Sequence, residues 1–215
     1  PLLYKVSDED STIWLFGSVH VATKDMYPLP DYIKSAFDNS DILAVEADII
    51  ALEQNASVLG EQMAKFIYKD GTTISDNVSK ETYEKAKKIL EKEESYNAFV
   101  DFYNASMWAN TINNFLYTNL SYDSNLGLDR HFLQSAKDNG KTIYEIESVE
   151  AQYDMLSGFS KELQAFMLED AVETYNDKKA KEAVEKLIKS WYNGDEKGII
   201  ESNTADESEC TEDEK

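Results

Sequence analysis

Short apolar runs alternate with segments of helical periodicity along this chain. Thr12–Phe16 and Ile42–Val45 have the pattern of strands, and residues 29–39 between them have apolar positions at helical spacing. Residues 141–147 form a third strand-like run further along the sequence. Because Ile42–Val45 is apolar throughout, we predict a parallel sheet in which this strand is covered on both faces.

The long middle of the chain, from about residue 50 to residue 122, has helical rather than strand periodicity. Residues 52–68 are amphipathic, Ser79 is suited to cap a helix over residues 80–93, and residues 96–120 carry an aromatic stripe. We interpret the stripe as a buried helix face, and a platform for stacking a ligand is the alternative. Further helices are predicted over residues 127–139 and, as two stretches broken near Asn176-Asp177, over residues 161–192, so helix exceeds strand.

The charge of the chain narrows the classes of partner. Its 215 residues include 42 Asp and Glu against 21 Lys and Arg, a formal net charge of -21. Such a surface repels nucleic acid and anionic membranes, and it attracts cationic peptides or a metal cation, although the acidity could serve solubility alone. No apolar run approaches the ~20 residues of a membrane span. The single cysteine, Cys210, excludes an intramolecular disulfide.

The acidic segment 195–215 contains no aromatic residue, and from Glu201 onward it has no periodicity, so we predict a mobile loop or tail. A calcium loop is the sharper alternative. The spacing of an EF-hand, with its central glycine, is missing from this segment.

Polar residues follow the first two strands directly. Gly17-Ser18-Val19-His20 ends one strand and Glu46 ends the next, and we expect Gly17 to allow a sharp turn there. Since the carboxyl ends of parallel strands line one crevice, His20 and Glu46 are predicted to share a pocket. His20 would bind Zn, Mn, Co or Fe or act as a base, or it is a strand-end histidine without a ligand.

The remaining candidates have structural alternatives of their own. Glu46 could cap the next helix, as Asp48 could also do, and Asp129 in a first helical turn is favoured by the helix dipole alone. His131 has the spacing of a helix-surface residue rather than a metal ligand. Four residues are candidates for a substrate pocket: Ser18, Asp129, Arg130 and Glu147.

Several motifs together resemble the TraB/PrgY/GumN family, which includes the TIKI metalloproteases. The similarity runs over about residues 1–194 and is weakest in the helical middle. The matching motifs are Leu15-Phe16-Gly17-Ser18-Val19-His20-Val21, Tyr27-Pro28-Leu29-Pro30, Val45-Glu46-Ala47-Asp48, Gly127-Leu128-Asp129, Gly140-Lys141 and Glu147-Ser148-Val149-Glu150.

The resemblance implies a fold and a partial site. The fold is an α/β domain over residues 1–194 with a mostly parallel sheet, like the erythromycin esterase and ChaN proteins, and a helical insertion at about 50–122. The family signature is a pair of Gly-x-x-His motifs plus a glutamate. Gly17–His20 and Glu46 match the first motif and the glutamate, and the second Gly-x-x-His is expected beyond Lys215.

The resemblance also implies an activity. We expect a metal-dependent hydrolase acting on peptides or proteins, with His20 and Glu46 as ligands of Mn, Co or Zn and weak metal binding without the second histidine. A non-catalytic protein that binds or sequesters a peptide pheromone is the alternative. A C-terminal fragment or a second copy of the chain is the expected protein partner. Family members are often exported lipoproteins, and a cytoplasmic location stays open.

Overall fold

The computed structural model describes residues 1–203, which form two compact units. One unit combines residues 1–18 with the residues from 178 onward, and the other comprises Val19–Asp177. The elements in chain order are β1 (Leu3–Ser7), β2 (Thr12–Phe16), α1 (Asp31–Asp38), β3 (Ile42–Val45), α2 (Ile49–Gln54), α3 (Ala56–Met63), α4 (Ile74–Asn77), α5 (Lys80–Lys92), α6 (Ala105–Asn119), α7 (Leu128–Asp138), β4 (Thr142–Glu145), α8 (Val149–Ser157), α9 (Lys161–Thr174), α10 (Lys178–Asn193) and α11 (Glu196–Asn203).

The first unit contains an antiparallel hairpin, β1–β2, and the helices α10 and α11. Trp191 of α10 is buried, its indole N–H donates to the carbonyl of Gly17 at 2.6 Å, and its ring contacts Phe16 edge-on. The opposite face of the hairpin is apolar and exposed. It consists of the cross-strand pairs Tyr4–Leu15 and Val6–Ile13.

Helix α11 corrects the sequence prediction for the acidic segment. The structure places a helix at Glu196–Asn203, where we predicted a loop. Gly198 donates its N–H to the Asp195 carboxylate at 3.0 Å, which satisfies one of the free amides at the start of this helix. The rest of the predicted acidic tail, including Cys210, lies outside the described residues.

The second unit holds a parallel pair of strands, β3 and β4, in the register Leu43 to Ile143. Pairing continues beyond the strands, because the amide of Glu147 donates to the carbonyl of Glu46 at 2.9 Å. One face of the pair packs on Leu133 of α7 and Ile50 of α2. This arrangement confirms the predicted parallel pairing of these two strands.

The other face of β3–β4 is exposed, and within residues 1–203 nothing covers it, so the predicted cover of Ile42–Val45 on both faces is not seen in this part of the chain. Ile42 is 57% exposed and Tyr144 is 63% exposed. Among the described residues, β2 pairs with β1 and does not extend β3–β4. The chain is therefore an α/β protein in which helix exceeds strand, as predicted, but the single, mostly parallel sheet is not confirmed.

Helices α5, α6 and α9 form the main apolar core of the second unit. Asn104 caps α6 and Ser160 caps α9, each with a side-chain oxygen that accepts a backbone N–H three residues on. Trp108, Ile112 and Leu168 are at most 2% exposed in this core. We call this group of helices the helical core.

Two sequence predictions in this region need correction. The predicted helix over residues 52–68 is broken at Asn55, whose side chain accepts the N–H of Val58 and starts α3. The aromatic stripe over residues 96–120 is helical only from Ala105, and Phe99 is 57% exposed. The aromatic residues before Ala105 lie in a 3₁₀ turn and loops, which the spacing of apolar residues did not distinguish from a helix.

No helix of the described residues has both the length and the apolar character needed to cross a membrane. The exported location expected from the resemblance stays a prediction. The same is true of the single domain over residues 1–194.

Candidate active site

His20 lies on a loop that runs along the segment leading into α7. Ala22 and Asp123 exchange both backbone hydrogen bonds, at 3.2 and 2.9 Å, and the amide of Leu128 donates to the carbonyl of Val19 at 2.9 Å. Leu128 is fully buried. These contacts fix the backbone on both sides of His20 against residues that lie about a hundred positions later in the sequence.

Gly127 permits this close approach. A Cβ atom built on Gly127 would lie 2.3 Å from the carbonyl oxygen of His20 and 2.7 Å from its carbonyl carbon, so a larger residue would force the two segments apart. Gly17, in contrast, has open space around it and does not adopt a left-handed conformation. The expectation that Gly17 supplies a glycine-only turn is therefore not supported, and the required glycine is Gly127.

The imidazole of His20 is held by the carboxylate of Asp129. Nδ1 of His20 lies 2.8 Å from Oδ2 of Asp129, in the first turn of α7. Asp129 is 19% exposed and His20 is 74% exposed. The hydrogen bond to Asp129 raises the pKa of His20 above its usual value, against the opposing effect of burial, and the charges of Asp129 and Glu46 raise it further.

Glu46 lies near this pair at the carboxyl end of β3. Its charge acts on His20, and its side chain is exposed. It does not cap the next helix, because Asp48 accepts the N–H of Ala51 at 2.9 Å and fills that role. Asp48 therefore caps α2. The Glu46 carboxylate stays exposed, within electrostatic range of His20.

Two ion pairs join α2 to α7, one between the residue that caps the start of α2 and the last turn of α7, the other between the last turn of α2 and the first turn of α7. Nζ of Lys137 lies 2.7 Å from the Asp48 carboxylate. Arg130, the one arginine in the sequence, makes two hydrogen bonds to the Glu53 carboxylate, one of them at 2.8 Å. The Arg130 guanidinium lowers the pKa of Glu53. We call these two pairs the α2–α7 clamp.

The other candidates, and His131, have different surroundings. Glu147 accepts a hydrogen bond from Gln152 at 3.1 Å, and Ser18 is exposed in the other compact unit. His131 lies on α7 with its ring 4.9 Å from that of Tyr27, and burial lowers its pKa. Burial also raises the pKa of Tyr27 to about 12.

The structure thus brings His20, Asp129 and Glu46 into electrostatic contact. Within residues 1–203, no group of three or more His, Cys, Asp or Glu side chains is arranged to hold a metal ion. Sequence reasoning missed Gly127 and Glu53. The motif Gly127-Leu128-Asp129 carried a signal for the first, because a glycine directly before a buried leucine and a carboxylate marks a close backbone approach.

Comparison with known protein families gives a match to this chain. The sequence profile of the TraB/PrgY/gumN family matches residues 2–215, essentially the whole chain. No curated protein and no solved structure matches the chain.

Proposed function

The chain belongs to the TraB/PrgY/gumN family, and from this premise we propose that it carries part of the active site of a metal-dependent hydrolase that acts on peptides. The observation that carries the proposal is the hydrogen bond between Nδ1 of His20 and the Asp129 carboxylate. A carboxylate in this position fixes the proton on Nδ1, so Nε2 becomes the nitrogen with a free lone pair.

A divalent cation such as Mn, Co or Zn would be held by Nε2 of His20 and by the Glu46 carboxylate. Bound there, it would supply a Lewis acid and lower the pKa of a water molecule. Catalytic zinc sites typically have three protein ligands. The described residues offer these two, so a complete site requires at least one further donor.

The chain's own residues account for the proton chemistry. Asp129 holds the His20 ring and stabilises its protonated form, which is why the His20 pKa is raised. Glu46 is exposed and serves as the second ligand or as the base that accepts a proton from the attacking water. The net charge of -21 favours substrates with cationic side chains.

We also propose that β3 and β4 belong to a larger, mostly parallel sheet of the erythromycin esterase type. The support is the open apolar face that includes Ile42 and Tyr144. Parallel strands are almost always covered on both faces and most sheets have more than two strands, so this two-stranded pair is suited to further strands at its edges and a further layer on its open face.

Titration with Mn²⁺ and Co²⁺ tests the metal role. We expect weak binding by the wild-type chain and none by His20→Ala, with His131→Ala as the control that removes the other histidine. Because protons compete for a histidine with a raised pKa, affinity should increase as pH rises through that pKa. Equal binding by wild type and His20→Ala would contradict the proposal.

A cleavage assay separates the proposal from its alternative. Cationic peptides incubated with the chain and Mn²⁺, then analysed by mass spectrometry, should be hydrolysed slowly, because the described residues supply only two ligands, and the products should be absent with His20→Ala. Peptides that bind and are never cleaved would instead favour a sequestering protein.

A further inference from the structure

A cavity of about 450 Å³ lies within the second unit, beside the starts of α6 and α9. Its walls include the aromatic side chains of Tyr68 and Phe159 and the amide side chains of Asn104 and Gln164. Neither His20 nor Asp129 nor Glu46 lines it. Asn104, which caps α6, and Lys161, which begins α9, both line the cavity, so the partial positive charges of two helix starts lie close to it.

Two buried amides in this cavity have spare hydrogen-bonding capacity. Oδ1 of Asn104 accepts from the N–H of Met107 and the hydroxyl of Ser106, which fixes the amide orientation and leaves Nδ2 as a donor with no protein partner among residues 1–203. Nε2 of Gln164 donates to the carbonyls of Ser157 and Phe159, which leaves Oε1 as a free acceptor.

Each of these two residues is only 5% exposed. A polar group withdrawn from water is costly unless it has a partner, so a donor and an acceptor left open at one cavity call for a ligand or ordered water. Among the described residues, the fully buried side-chain atoms that lack a hydrogen-bond partner belong to Gln62 and Arg130. Nδ2 of Asn104 and Oε1 of Gln164 are not among them, so both atoms stay accessible from the cavity.

The charge at the cavity is opposite in sign to that of the whole chain. Three lysines, Lys65, Lys69 and Lys161, line it together with two carboxylates, Asp70 and Asp154. Lys65 pairs with Asp154 and Lys161 with Asp70, and Lys69 has no ion-pair partner among the described residues. A local excess of positive charge in a chain of net charge -21 favours an anionic ligand.

We propose that this cavity binds the C-terminal end of a short peptide, or an N-acyl amino acid of the same chemistry. The ligand carboxylate meets Lys69 and the two helix starts, its amide carbonyl accepts from Nδ2 of Asn104, and its amide N–H donates to Oε1 of Gln164. Its apolar side chain lies against Tyr68 and Phe159. A carboxylate, a carbonyl, an N–H and an apolar group together match the four features of the cavity.

The proposal does not depend on the metal-dependent activity of His20. The probe is N-acetyl-L-leucine, titrated calorimetrically into the full chain at neutral pH. N-Acetyl-L-leucinamide, which lacks the carboxylate, and inorganic phosphate, which lacks the amide, are the comparison ligands. His20→Ala should bind the probe as wild type does, so failure of the active-site proposal and failure of this one are distinguishable.

Two variants test the contacts. Asn104→Asp keeps the oxygen that caps α6 but replaces the free donor with a negative charge, and it should weaken binding at least about tenfold. Lys69→Gln should weaken binding by about two- to fivefold, since an exposed charge contributes little. Lys80→Gln makes the same charge change outside the cavity and should leave affinity unchanged.

Saturable binding of N-acetyl-L-leucine that Asn104→Asp weakens and that the leucinamide does not match supports the proposal. It is overturned if about 10 mM probe shows no saturable binding, if Asn104→Asp binds as well as wild type with an unchanged circular dichroism spectrum, or if phosphate binds as tightly as the probe.

Discussion

The helical core and the His20 site are held by different kinds of interaction, apolar packing in the first and polar and backbone contacts in the second. In the core, Trp108, Ile112 and Leu168 are almost completely buried, and apolar packing holds them. At the site, the His20 ring is mostly exposed, and it is held by a hydrogen bond to Asp129 and by the close backbone approach of Gly127. The residues that stabilise the fold are therefore largely distinct from those that set the proton chemistry of His20, and substitutions can separate the two.

The largest effect is expected in the helical core. Leu168→Ala removes a fully buried side chain and should lower the free energy of unfolding by about 2–5 kcal/mol, measured by urea denaturation. The proton titration of His20 should not change. Leu163→Ala on the same helix is the control, since Leu163 is 42% exposed and the change should cost well under about 1 kcal/mol. An altered His20 pKa in folded Leu168→Ala would show that the two regions are coupled.

The elements of the helical core could be predicted from the sequence because their signals are local. Ser79 before an apolar stripe predicts a helix start, and the structure confirms it with the Thr82 N–H donating to Ser79 at 3.0 Å. Outside the helical core, Asn139-Gly140 likewise ends α7, with Gly140 at a φ of +64°. Each of these features involves residues within one helical turn of each other.

Gly127→Ala should have the next largest effect, and it should change both the free energy of unfolding and the pKa of His20. The added methyl would meet the backbone of His20, so we expect a loss of about 1–3 kcal/mol and a fall in the His20 pKa as the Asp129 contact opens. Gly60→Ala makes the same substitution within α3, where nothing lies within 4 Å, and should stabilise by up to about 1 kcal/mol. Unchanged stability and an unchanged His20 pKa in Gly127→Ala would refute the close-approach argument.

The His20 site was predicted less completely, because its contacts join distant parts of the chain. Asp129 in a first helical turn is explained by the helix dipole, and no local pattern shows that it reaches a histidine 109 positions earlier. Glu53 shows the same difficulty. Its partner Arg130 was a pocket candidate, but the spacing of α2 residues does not indicate which side chain on α7 they meet.

Asp129→Asn should change the His20 pKa with a modest effect on stability. Removal of the carboxylate charge should lower that pKa toward its ordinary value of about 6.5, measured by NMR with His131 as the internal reference. Because the folded-state pKa is raised, the stabilisation by Asp129 is fully present below the unfolded-state pKa and is lost as pH rises through the folded-state value. A stability difference between wild type and variant that grows with rising pH would contradict this sign.

The smallest effect is expected at the α2–α7 clamp. Glu53 is half exposed, so Glu53→Gln should cost about 0.5 kcal/mol by denaturation. If the clamp also positions Asp129, the His20 pKa should fall in both Glu53→Gln and Arg130→Gln, and the double variant should add little. Lys34→Gln, which breaks an exposed pair within α1, is the control and should leave His20 unchanged.

The uncovered sheet faces affect how readily copies of the chain associate. Tyr4, Val6, Ile13 and Leu15 on the hairpin, and Ile42 and Tyr144 on β3–β4, present water-exposed apolar surface that would drive copies of the chain together. At neutral pH the net charge of -21 opposes that encounter by mutual repulsion. Acid neutralises the carboxylates and concentrated salt screens them, and either change leaves the apolar surface exposed. The negative charge of the chain therefore opposes self-association through these strand faces.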